Sequence, residues 1–155
     1  LHEMAHVFGF GTLWEDQGLL DGAGSGNPIY NGGFARGAFL AAAAPGTTFT
    51  GTPVPVEGNG PPGTRDAHWR ESTVDNELMT GFLDPGLNPL SAFSLASLRD
   101  LGYVVNDAVA DPFSFLASLI APFGGRKIPL VEAPLPGPIE VVNDRGRIVG
   151  RIPRT

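Results

Sequence analysis

The sequence predicts an α+β domain made mostly of helices and long loops, with a C-terminal β-hairpin. Three observations carry that expectation. The opening residues read His2-Glu3-x-x-His6-x-x-Gly9, a pattern at helical spacing. Glycine and proline are abundant, 22 and 15 residues, and fall without period, so collagen is excluded and the load goes to loops. Residues 139–152 alternate around the turn Asn143-Asp144-Arg145-Gly146, as a hairpin does.

Bulk properties narrow the function classes. A chain of 155 residues is long enough to bury a core. Its 16 acidic against 10 basic residues give a net charge of −6, and the basic ones form no cluster. Nucleic acid and anionic membrane surfaces are therefore poor partners. The absence of cysteine excludes a disulfide framework and thiolate metal sites. No apolar run approaches the roughly 20 residues that span a bilayer, so no transmembrane segment is expected in these residues.

Taken in order, residues 1–8 predict one buried helix, because every position except His2, Glu3 and His6 is apolar or small. Gly9 is placed to end it with a positive φ. Thr12-Leu13-Trp14 is expected to pack beneath it. Residues 15–33 hold the turn signals Asn27-Pro28 and Asn31-Gly32-Gly33. The alanine-rich stretch 34–44 predicts a short helix stopped by Pro45. Residues 45–64 predict a surface loop with one short strand at 52–57. Residues 65–83 break this pattern with His68, Trp69, Glu71 and Glu77, and end in a tight turn at Thr80-Gly81. A further helix follows, with Ser91 as N-cap, Leu95, Leu98 and Leu101 on one side, and Gly102 just past its end. Composition shifts at Asp111-Pro112. Residues 113–137 predict a Pro/Gly-rich linker that begins with a short apolar helix at 113–121, and 138–155 a hairpin tail.

The chemistry begins with the first helix. Residues i and i+4 share a face, so His2 and His6 can aim two imidazole nitrogens at one point. That suits Zn²⁺, which accepts neutral imidazole and, in catalytic sites, keeps three protein ligands and one open position. Glu3 lies beside them, where a general base for an activated water belongs. The common third ligand in such a pattern is a histidine three residues after Gly9, but Thr12 stands there. The only other histidine is His68, which makes it the expected third ligand. Glu71 and Glu77 are candidates to orient the imidazoles, or else caps and solvated acids. The glycine-rich run 22–26 has no strand before it and no lysine after it, so it reads as a loop and not a phosphate cradle.

Several motifs together resemble the leishmanolysin-type zinc metalloproteases, a metzincin group. They are His2-Glu3-x-x-His6-x-x-Gly9-x-Gly11-Thr12-Leu13-Trp14, His68-Trp69-Arg70-Glu71, Asn76-Glu77-Leu78-Met79-Thr80-Gly81 and Ser97-Leu98-Arg99-Asp100-Leu101-Gly102-Tyr103. The family's mark is a long insertion between the glycine and the third histidine, and here residues 10–67 intervene. The resemblance covers roughly residues 1–112. It implies the C-terminal subdomain of a zincin/metzincin catalytic domain with one catalytic Zn²⁺. His2, His6 and His68 would be its ligands, Glu3 the general acid/base, and Met79 the Met-turn residue packed beneath the metal. It further implies a protein or peptide substrate and a secreted or cell-surface location.

The chain departs from the family in two respects. Eukaryotic members are cysteine-rich and this chain has none, which suggests a bacterial-type relative. The half of the catalytic domain that precedes the motif is expected to be missing here, so these residues need not be active alone. In metzincins that half carries the edge strand that pairs with extended substrate. Two other readings stay open. One is a thermolysin-like protease whose third ligand is a Glu. The other is a zinc-stabilised adhesion or binding module without turnover.

Overall fold

A computed structural model describes residues 1–42, 53–115, 126–130, 139–143 and 145–152. Among these, four α-helices and seven short antiparallel strands form a mixed α+β fold. The helices are α1 (His2–Val7), α2 (Gly33–Ala42), α3 (Glu71–Val74) and α4 (Ala92–Asp100). The strands are β1 (Leu20–Asp21), β2 (Ile29–Tyr30), β3 (Val54–Pro55), β4 (Phe82–Leu83), β5 (Ile128–Pro129), β6 (Ile139–Val142) and β7 (Ile148–Ile152).

Helix ends follow the sequence closely. Ser91 caps α4 by accepting from the Ser94 N–H. Both α1 and α4 end in the same paired bonds. Gly9 N–H donates to His6 O and Phe10 N–H to Ala5 O; Gly102 N–H donates to Arg99 O and Tyr103 N–H to Leu98 O. This is the Schellman arrangement, and both glycines take the positive φ it requires. The start of α2 has no capping residue of its own. Asp100, at the end of α4, supplies the cap by accepting from Phe34 N–H at 2.9 Å and Ala35 N–H at 3.0 Å. The Tyr30 hydroxyl donates to the same carboxylate, and burial together with that negative charge pushes its pKa far up.

The core is aromatic. Trp14 is fully buried, with Phe10, Tyr30 and Trp69 rings at 4.6, 4.8 and 4.7 Å. β1, β2 and β3 form a small antiparallel sheet with Leu20 opposite Tyr30 and Tyr30 opposite Val54. Past β3 the ladder continues: Val56 bridges Trp69, and Trp69 bridges Thr80. That continuation carries the segment with His68 into the middle of the molecule.

Some expectations need correction. The first helix is not buried all round: only His2 is buried, while Met4 and Val7 are 57% and 84% exposed. Six residues are under two turns, so one stripe faces the core and the rest faces out. The strand expected at 52–57 is only Val54–Pro55, with Thr52 outside the described residues. Of the helix expected at 113–121, residues 116–121 lie outside the described residues. Phe113 and Phe115 pack against the core, on Phe93 and Phe39. β6 pairs with β7 as the alternation implies, and the Asn143 side chain accepts from the N–H groups of Arg145 and Arg147 at the turn.

β5 pairs with β4, and beside it Lys127 Nζ contacts three carboxylates, Glu71, Asp75 and Asp84. Burial pushes the Glu71 carboxyl up, and the ammonium beside it pulls the other way. Lys127→Met should therefore lower stability at neutral pH by about 1–3 kcal/mol, because three partly buried carboxylates lose the cation they share. The sign with pH follows. Without the ammonium the Glu71 carboxyl, already raised by burial, rises further above its unfolded value, so the deficit is full at neutral pH and shrinks as pH falls through the carboxylate range. Urea unfolding of both proteins between about pH 4 and 7 checks it; a deficit independent of pH would refute the ionic account.

Candidate metal centre

His2 and His6 lie on one face of α1, and the extended segment beside β3 brings His68 to them. The three Nε2 atoms converge: His2 to His6 at 3.0 Å, His2 to His68 at 3.1 Å and His6 to His68 at 3.1 Å. His68 is 1% and His2 7% exposed, while His6 is half-buried, so the cluster opens toward solvent on one side.

The other nitrogen of each ring is spoken for. Nδ1 of His2 lies 2.7 Å from Leu78 O, Nδ1 of His6 2.8 Å from Phe10 O, and Nδ1 of His68 2.9 Å from Thr64 O. A carbonyl oxygen only accepts, so each Nδ1 carries its proton. In a neutral ring Nε2 is then a bare lone pair. Burial, reinforced by the neighbouring His6 and His68, lowers the His2 pKa against the opposing pull of Leu78 O and Glu3, which favours the neutral ring. In the neutral, Nδ1-protonated form the three rings turn their Nε2 lone pairs toward one another. Such a triad repels itself unless a cation sits among the nitrogens. Tetrahedral zinc with bonds of about 2.0–2.1 Å sets its nitrogens about 3.3 Å apart, a few tenths of an ångström from the spacing here. The donor set therefore fits Zn²⁺.

Local sequence explains the placement. Thr12, which stands where a third histidine is common, instead closes α1: its hydroxyl donates to His6 O at 3.0 Å. Gly11 lies against Ala67, next to His68, and so holds the His68 segment close to the end of α1. Met79 is fully buried, and its turn reaches the cluster through the preceding carbonyl of Leu78. Glu3 is exposed beside the two α1 histidines, and its charge acts on His2.

Of the two roles open to Glu71 and Glu77, direct contact with an imidazole is not the one the structure shows. Glu71 contacts Lys127, and Glu77 is buried among serines; the Nδ1 atoms of His2, His6 and His68 face backbone carbonyls. Those carbonyls, of Phe10, Thr64 and Leu78, are the site residues that sequence reasoning missed. A carbonyl is present at every position, so no residue type could have flagged them. Glu57, an alternative source of a carboxylate ligand, spends one oxygen on the Asn59 N–H and the other on the Glu71 N–H. Among the described residues no carboxylate joins the three histidines. A second group, Glu71, Asp75 and Asp84, surrounds the Lys127 ammonium.

No protein-family model matches this chain, and no curated protein or solved structure matches it. No helix among the described residues is long and apolar enough to cross a membrane.

Proposed function

We propose that this chain carries the catalytic centre of a zinc-dependent peptidase. The observation that carries the reading is the convergence of three Nε2 lone pairs, each ring locked by a backbone carbonyl, with Glu3 beside them. Bound there, zinc would supply an open coordination position and a Lewis acid that eases deprotonation of water. His2, His6 and His68 would hold the ion. Glu3 takes a proton from the attacking water and returns it to the departing amine. The leishmanolysin-type resemblance of the motifs favours a protein or peptide substrate and a secreted or cell-surface setting.

Glu3→Ala tests the chemistry. The variant should bind one zinc as tightly as the parent and lose peptide hydrolysis by about 10²–10⁴-fold, the usual worth of a positioned base. The assay is cleavage of a mixed peptide pool with and without chelator. Zinc-loaded Glu3→Ala that still cleaves would remove Glu3 from the mechanism. A parent chain that binds zinc tightly and cleaves nothing would favour a binding module.

A further inference from the structure

Glu77 is fully buried, and its carboxylate carries more hydrogen bonds than any structural need of its turn explains. Oε1 accepts from Ser91 N–H at 2.9 Å, Ser91 Oγ at 2.6 Å and Ser94 Oγ at 2.5 Å; Oε2 accepts from Met79 N–H at 2.5 Å. The last contact matters most. The N–H of Met79 and the C=O of Leu78 belong to one peptide group. Its carbonyl accepts from His2 Nδ1 at 2.7 Å. A continuous chain therefore runs from the Glu77 carboxylate through the Leu78–Met79 peptide to His2, whose Nε2 joins the triad.

We infer that Glu77 is a positioning residue for the metal centre, acting on His2 through the Leu78–Met79 peptide group. The inference rests on the reading that the three histidines bind zinc. Ligating imidazoles commonly donate their second N–H directly to a carboxylate or carbonyl, which fixes the tautomer and raises ligand basicity. Here the carboxylate stands one peptide further back. A negative charge at the N–H end polarises the amide, so its carbonyl becomes a stronger acceptor for the imidazole proton. Three neutral imidazoles leave the charge of a divalent cation uncompensated by its ligands, and a buried carboxylate one peptide away opposes part of it. Burial pushes the Glu77 carboxyl up, and the four donors aimed at its two oxygens pull it back by stabilising the carboxylate form.

Glu77→Gln keeps the shape and one acceptor oxygen and removes the charge. Zinc affinity, read by competition with a chromophoric chelator, should fall by about 10–100-fold, the usual cost of losing such outer-sphere support. The Co²⁺-substituted variant should show a shifted d–d absorption, because the His2 ligand field weakens. Ser94→Ala separates this from a general loss of packing. It removes one donor to Oε1 and leaves the Oε2-to-peptide arm intact, so it should lower metal-free stability with less than a threefold change in zinc affinity. Equal losses of affinity in the two variants, in proportion to their losses of stability, would reduce Glu77 to a structural clasp and overturn the inference. So would unchanged affinity and an unchanged cobalt spectrum in Glu77→Gln. A parent chain without stoichiometric zinc binding would overturn the metal reading itself, and this inference with it.

Discussion

His68→Ala is expected to weaken zinc binding by a few hundredfold and to abolish most of the stability that zinc confers. Structural zinc sites with four ligands gain roughly 10–16 kcal/mol on binding, so one ligand is worth about 2.5–4 kcal/mol. The parent should melt at a higher temperature with saturating zinc than with chelator, since an ion that binds only the folded chain stabilises it by mass action. In His68→Ala that difference should nearly vanish, while the chelated proteins melt within a few degrees of each other. The small change in the chelated pair follows from the triad itself. Without metal, His68 gives up its packing and one bond to Thr64 O at 2.9 Å, a smaller loss than that of the zinc it would hold. The outcome that would sink the assignment is a parent whose melting does not respond to zinc, or a variant that binds zinc as the parent does. The second result would return the third ligand to a glutamate.

The site was legible in the sequence where side-chain chemistry defines it. Two histidines four apart on a helix can share only one face, and a chain with a single remaining histidine offers few third ligands. His68 lies where that logic sends it. The supporting groups were illegible for a physical reason. Phe10, Thr64 and Leu78 contribute carbonyls, whose directions depend on the backbone path and not on residue type. Glu77 was visible as an acid that could orient an imidazole or act as a cap; its carboxylate meets the Met79 N–H, and the carbonyl of that same peptide group meets His2.

The fold shows the same division. Ends of elements were readable, because Ser91, Gly9 and Gly102 act within their own turn. The cap of α2 was not, since Asp100 reaches it from 66 residues away. Nor was the pairing of β5 with β4, which joins segments 46 residues apart through two short strands. Where a contact spans that much chain, local propensity says nothing about it. The burial of α1 was overestimated because its apolar positions run all round the helix, and composition alone does not say which faces meet a neighbour.

Gly11→Ala should be the most damaging small substitution outside the ligands. Gly11 has φ +71, and an added Cβ would sit 2.1 Å from the carbonyl oxygen of Ala67. The obstacle is backbone, so no rotamer change relieves it. A left-handed conformation costs an alanine about 1–2 kcal/mol, and displacing the Ala67 carbonyl adds to that, for a loss of about 3 kcal/mol or more against a typical total of about 5–15. Gly18 supplies the control. It has φ +66 with nothing within 4 Å of an added Cβ, so Gly18→Ala should cost only the conformational part. The difference between the two in urea unfolding isolates the contact with Ala67. Because that residue precedes His68, the contact also sets the distance between the third ligand and α1. Gly11→Ala should therefore lose zinc affinity along with stability, whereas Gly18→Ala should keep the parent affinity. If the two variants lose stability equally, the close approach of residue 11 to Ala67 is not what joins the His68 segment to the helix that carries His2 and His6.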